Sequence, residues 1–85
     1  MAFNREDKKR NRLEIMDNIL SLTEGRGIKK THIMYQANLS YMELEKYLDR
    51  LIGKQLLAER DGYYTTTKLG LEYLEKFKEI QSLMA

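Results

Sequence analysis

The chain has 85 residues, no cysteine, a net charge of +2 and a pI of about 8.9. This length favours one domain, and the lack of cysteine excludes disulfides, zinc-thiolate sites and thiol nucleophiles. No apolar run approaches the roughly 20 residues that cross a membrane, and the polar start MAFNREDKKRNR lacks the apolar core of a secretory signal. We therefore expect a cytoplasmic protein of one domain.

Positive charge is concentrated in two segments. Residues 5–12 carry five basic and two acidic side chains, a net +3, and residues 24–30 carry three and one, a net +2. A basic end and a basic loop are typical of proteins that bind a polyanion, although basic tails are also common as simple solvated ends. Charge alone therefore favours a nucleic-acid partner only slightly.

The first half of the chain predicts two helices. Apolar residues recur at intervals of three and four across residues 8–22, which predicts an amphipathic first helix. Its apolar positions are Leu13, Met16, Ile19 and Leu20. The segment EGRG ends this helix, because glycine readily takes a positive φ. A short second helix is expected from Lys30 to Ala37.

The stretch NLSYME predicts a tight corner followed at once by a third helix. Asn38 tolerates the left-handed conformation, and Leu39 is an apolar residue that can plug the angle between the helices. Ser40 is a natural N-cap, and Glu43 stands at the spacing of a capping box. We expect the third helix to span residues 41–54.

The segment QLLAERDGYYTTT changes from a helical to an alternating period on both sides of Asp61-Gly62. Asp-Gly between two alternating runs is a strong signal for a β-hairpin. Thr67 can cap a last helix over residues 68–84. The order helix, helix, corner, helix, hairpin, helix predicts an α+β, mostly α, winged helix-turn-helix with three helices, a two-stranded wing and a C-terminal helix.

Two segments are similar to a known family. NLSYMELEKYLDRLIGKQLL followed by DGYYTTTKLGLEYLEKF resembles the archaeal winged helix-turn-helix proteins of the ArnR1-like group, which includes small dimeric DNA-binding proteins of archaeal thermophiles. The resemblance runs from about Leu13 to Leu83. It implies DNA binding in transcriptional regulation or chromatin architecture, and dimerisation through the C-terminal helix. One departure is Gln55, because the family usually has glycine just before the first wing strand.

These features divide the chain into three parts. We expect a basic N-terminal arm at residues 1–12, a winged helix-turn-helix domain at 13–67 and a C-terminal dimerisation helix at 68–85.

DNA contacts are expected from the third helix, the start of the second helix and the tip of the wing. Arg50 on the outer face can reach guanine in a bidentate manner. Residues 41–50 carry a net charge of −1, which is unfavourable for a helix in a phosphate-lined groove. The alternative to DNA contact is that Ser40 serves only as the helix cap and that Tyr41 only covers the core. The predicted DNA-binding residues are Lys29, Lys30, Thr31, Ser40, Tyr41, Glu43, Lys46, Arg50, Arg60 and Gly62.

The last helix carries a near-heptad apolar seam from Leu69 to Met84. The seam is longer than a small winged domain covers by itself, which favours a homodimer. The alternative is that the first helix covers all of it. The predicted interface residues are Tyr73, Phe77, Ile80 and Met84.

The sequence predicts no enzyme, cofactor or metal site. His32 is the only histidine and has no acidic or histidine partner at ligand spacing. EGRG lacks the length and the lysine of a phosphate-binding loop, and no serine stands in a nucleophile elbow.

The sequence therefore predicts sequence-specific or architectural binding of double-stranded DNA, by a transcriptional regulator or a chromatin-associated protein. The alternative is a winged-helix module that binds other proteins without direct DNA contact. The near-neutral third helix keeps this alternative open.

Overall fold

The computed structural model describes residues 11–84. They form four helices and one antiparallel sheet with the strand order β1–β3–β2. The elements are α1 (Arg12–Leu22), β1 (Ile28–Lys29), α2 (Lys30–Ala37), α3 (Tyr41–Gly53), β2 (Leu57–Arg60), β3 (Tyr63–Thr66) and α4 (Lys68–Met84). This is the predicted winged-helix fold, with one strand more than expected.

The first helix begins at Arg12, because Asn11 and Glu14 form a capping box there. The predicted start at Lys8 lies outside the described residues, as does most of the predicted basic arm.

The core lies between the helices and the inner side of the sheet. The helical pattern places Leu13 on the apolar face of α1, but Leu13 lies outside the core, since 52% of it is exposed. The fully buried apolar side chains include Ile19, Leu20, Ile33, Leu44 and Leu51.

The corner between α2 and α3 has the predicted geometry. Asn38 is left-handed, with φ 57° and ψ 51°. The Asn38 amide donates to the Tyr35 carbonyl at 3.2 Å, and the Leu39 amide donates to the Met34 carbonyl at 3.1 Å. This pair of bonds is typical of a Schellman motif, and Leu39 packs against the core. The two helices are therefore separate and held at a fixed angle.

The start of α3 is capped as predicted. The Ser40 hydroxyl accepts the Glu43 amide at 3.2 Å, and the Glu43 carboxylate accepts the Ser40 amide at 3.0 Å. Three leucines one helical turn apart then bury one side of α3 in the core. These are Leu44, Leu48 and Leu51.

The wing is a hairpin whose turn has Asp61 at φ 54° and Gly62 at φ 83°. Two consecutive positive φ angles are the mark of a type I′ turn, which Asp-Gly favours. The third strand, β1, pairs Ile28 with Tyr64 of β3. Two residues are too short to show an alternating pattern, so the sequence does not predict this strand.

Thr23 and Thr66 tie the end of α1 to the wing. Their hydroxyl oxygens lie 2.7 Å apart in a buried position, and the Thr66 amide donates to the Thr23 carbonyl at 3.1 Å. The Thr66 hydroxyl also lies 2.6 Å from the Leu20 carbonyl oxygen. These bonds satisfy polar groups that would otherwise be costly to bury.

The base of the wing also holds α4. Thr67 caps α4 as predicted, since its hydroxyl accepts the Gly70 amide at 3.0 Å. A Cβ at Gly70 would lie 2.3 Å from the Leu56 carbonyl oxygen, so only glycine permits this close approach. The first turns of α4 are therefore fixed against the winged domain.

Gln55 occupies a position that favours glycine. Its φ is 63°, and its amide donates to the Ile52 carbonyl while the Leu56 amide donates to the Leu51 carbonyl, both at 2.9 Å. This is a second Schellman motif, which ends α3 and starts the wing. Gln55 adopts the conformation that a glycine would give, at the cost of strain around its Cβ.

We expect Gln55→Gly to raise the free energy of unfolding by about 1 kcal/mol, because glycine removes the left-handed penalty. Urea denaturation measures this change. Gln55→Ala is the control and should bring no such gain, because alanine keeps the Cβ. Equal stability of the two variants would contradict the explanation.

Candidate nucleic-acid interface

The outward face of α3 is open to solvent. Its first turn exposes Tyr41 and Met42, at 56% and 73%. Further along the same helix Lys46, Asp49 and Arg50 are exposed, while the leucine stripe faces the core. The face that was predicted to approach DNA is therefore available for a partner.

The Lys30 side chain, at the start of α2, contacts two side chains of α3. Its ammonium group forms an ion pair with Glu45 and lies 5.3 Å from the centre of the Tyr41 ring. The hydrogen bond to Glu45 raises the pKa of Lys30 well above its usual range. The same bond, and then one from the Tyr41 hydroxyl, lowers the pKa of Glu45. Lys30 therefore joins α2 to α3, a role that the sequence does not predict.

This ion pair reduces the negative charge that α3 presents to a partner. Glu45 is neutralised by Lys30, and the Glu43 carboxylate accepts the Ser40 amide. Two of the three acids in residues 41–50 thus have partners within the domain. The net −1 of this segment overstates the negative charge that a phosphate would meet.

A basic depression of about 260 Å³ lies beside the middle of α3. The Arg50 guanidinium lies 5.8 Å from the centre of the Tyr47 ring. Three cations and one acid line the depression, which suits an anionic group. Its lining residues are Arg12, Glu43, Lys46, Tyr47 and Arg50. Arg12 was predicted only as part of the arm, because nothing in the sequence brings it to α3.

The rest of the predicted interface, at the start of α2 and the tip of the wing, is less basic than the depression beside α3. The Lys29 ammonium lies 5.6 Å from the centre of the Tyr63 ring, and Thr31 is exposed. At the wing tip Arg60 is exposed, but the Gly62 amide already donates to the Glu59 carboxylate at 2.7 Å. The Gly62 amide is thus engaged within the wing.

A separate apolar groove of about 550 Å³ lies between the start of α1 and the end of α4. Phe77 lines it, and the ring of Tyr73 stacks on Phe77 with centroids 6.3 Å apart. Tyr73 also packs against the core of its own domain, whereas Ile80 and Met84 are 53% and 81% exposed. The distal half of α4 is therefore open to a partner, and near the start of the helix Leu69 and Leu71 are also 47% and 40% exposed. Leu13 lines the opposite wall.

The tight corner, the open face of the following helix and the wing define a winged helix-turn-helix domain. The chain belongs to the winged helix-turn-helix family, whose model matches residues 9–85. This confirms the family and the fold that the sequence predicts.

Two archaeal relatives come from Methanocaldococcus jannaschii. The uncharacterized protein MJ0290 is 36% identical over 76 residues, which are 89% of this chain and 36% of that protein. The uncharacterized protein MJ0287 is 34% identical over 77 residues, which are 89% of this chain and 78% of that protein. The chain thus spans little more than a third of MJ0290 and most of MJ0287.

Two further properties concern residues 11–84 alone. No helix in this range is long and apolar enough to cross a membrane. Within the same range, no three histidine or acidic side chains are grouped to hold a metal ion.

The Lys30–Glu45 pair makes stability depend on pH. A carboxyl group whose pKa is lowered by folding stabilises the fold above its unfolded pKa, and this contribution is lost as pH falls through the folded pKa. We expect Glu45→Gln to lower the Tm at pH 7, and the difference from wild type to close in acid, below the ordinary value of 4.5. Thermal unfolding across pH measures both.

Asp49→Asn is the matched control, because it removes an exposed acid from the same helix and should change the Tm little. A Glu45→Gln difference that persists undiminished in strong acid would show that the ion pair is not its cause.

Proposed function

We propose that the protein binds double-stranded DNA as a homodimer and acts as a transcriptional regulator or a chromatin-associated protein. The observation that supports this most is the open face of α3 beside a depression lined by three cations. A helix set off by a tight corner with its outward face open is suited to the major groove, and the cations beside it are suited to the phosphates.

The residues then divide into backbone and base contacts. Arg12, Lys46 and Arg50 contact phosphates on one side of α3, because they line one depression and Arg50 is in the last turn of the helix. Lys29 and Thr31 contact the backbone from the start of α2. Arg60 contacts it from the wing, and the first turn of α3 faces the base edges.

Lys30 has a different role in this proposal. Moving its ammonium group to a phosphate would leave the Glu45 carboxylate unpaired close to the DNA backbone, which is electrostatically unfavourable. Lys30 therefore stays on Glu45 and keeps α2 and α3 in position.

Homodimer formation is supported by the apolar groove at the end of α4. Leu83 and Met84 are largely exposed there, next to Ile80. Contiguous exposed apolar surface favours burial against a partner, and a second α4 offers the same side chains in return. The dimer would present two α3 helices to successive half-sites.

The double variant Lys46→Ala/Arg50→Ala tests the DNA face. Loss of two phosphate contacts should weaken duplex binding and make the slope of log K against log salt shallower by about 1.8. Fluorescence anisotropy with duplex DNA at several salt concentrations measures the slope.

Lys68→Ala/Lys76→Ala removes the same charge from α4 and should leave the slope unchanged. Equal effects of the two double variants would remove α3 from the interface. Failure of the wild-type protein to bind any duplex at low salt would contradict DNA binding itself and favour the protein-interaction alternative.

The dimer is tested with Ile80→Glu, which places a charge in the apolar groove. We expect the mass in solution to fall from that of a dimer to that of a monomer, as measured by light scattering. Ser82→Glu adds the same charge to α4 at an exposed residue that does not line the groove, and should leave the dimer intact. A monomeric wild-type protein would contradict the proposal.

A further inference from the structure

The first turn of α3 has an unusual surface for a helix that contacts DNA. Its exposed side chains include Tyr41 and Met42, and α3 contains no lysine or arginine before Lys46. The first turn of a recognition helix is the part that approaches base edges. The bidentate arginine contact to guanine therefore has no donor in this turn.

The polar groups of this turn are already engaged within the protein. The Ser40 hydroxyl and the Glu43 carboxylate form the capping box. The Tyr41 hydroxyl helps to lower the pKa of the Glu45 carboxyl, which pairs with Lys30. The exposed groups that are not engaged in this way are apolar: the ring of Tyr41 and the thioether chain of Met42.

The Tyr41 ring is also held in place. The Lys30 ammonium lies 5.3 Å from its centre and is itself paired with Glu45. A side chain fixed before binding loses little conformational entropy on contact. The contact with Lys30 thus restricts the ring, which presents an apolar surface in the first turn of α3.

The major groove offers one apolar group on the base edges, the C5-methyl group of thymine. We infer that Tyr41 and Met42 contact thymine methyl groups, so that the protein prefers duplexes that present thymine to the first turn of α3. This inference rests on the proposed DNA binding. The cations at Lys46 and Arg50 favour DNA over an apolar protein partner, because they place phosphate-binding charge further along the same helix.

The test compares duplexes that differ only in this methyl group. A thymine-rich duplex and the same duplex with deoxyuridine at every thymine are titrated with the full chain at one low salt concentration. We expect the thymine duplex to bind more tightly, by about fourfold for each contacted methyl group.

Met42→Gln keeps the length of the side chain but makes its end polar. We expect this variant to lower the thymine-to-uracil affinity ratio toward one, with little change in its affinity for the uracil duplex. Tyr35→Ser is the matched control, since Tyr35 is an exposed aromatic residue on α2 outside this turn, and should keep the ratio.

The outcomes separate the two proposals. Equal binding of both duplexes by the wild-type protein would overturn the methyl contact and leave DNA binding intact. An equal loss for both duplexes in Met42→Gln would also overturn it. No binding to either duplex would refute the proposed function and this inference with it.

Discussion

The angle between α2 and α3 is the constraint on which the rest of the structure depends. Three residues set it: Asn38 takes the left-handed conformation, Leu39 packs into the core and Ser40 caps the next helix. Because the turn is this short, α3 can bury its leucine stripe only by leaving its opposite face in solvent. The open face of α3 is thus a consequence of the core packing.

Electrostatics on α3 depend on this same geometry. The corner brings the first residue of α2 beside the first turns of α3, where Lys30 pairs with Glu45 and contacts the Tyr41 ring. The pair offsets the negative charge of Glu45 on the face of α3, where Lys46 and Arg50 are suited to phosphates. Lys30, which the sequence suggests as a phosphate ligand, thus joins α2 to α3 within the domain.

The first turns of α4 pack against the domain, whereas its distal turns expose apolar side chains. Its first turns are fixed by the close approach at Gly70 and by burial of Leu74 in the core. In its distal turns Ile80 and Met84 are exposed. The apolar seam that the sequence shows as one continuous pattern is therefore divided, with Tyr73 mostly used inside the domain. The start of α1 borders both proposed faces, because Arg12 lines the depression beside α3 and Leu13 lines the groove at the end of α4.

Local sequence determined the elements of this protein. The capping box at Ser40, the left-handed Asn38 and the Asp-Gly turn each depend on residues within a few positions of one another, so they are readable from the chain. Contacts between distant residues are not readable in this way. Only the tertiary structure placed Arg12 beside Lys46, joined Lys30 to Glu45 and paired the two-residue β1 with β3. Side chains from separate elements meet only when the core brings those elements together, and no spacing along the chain records that meeting.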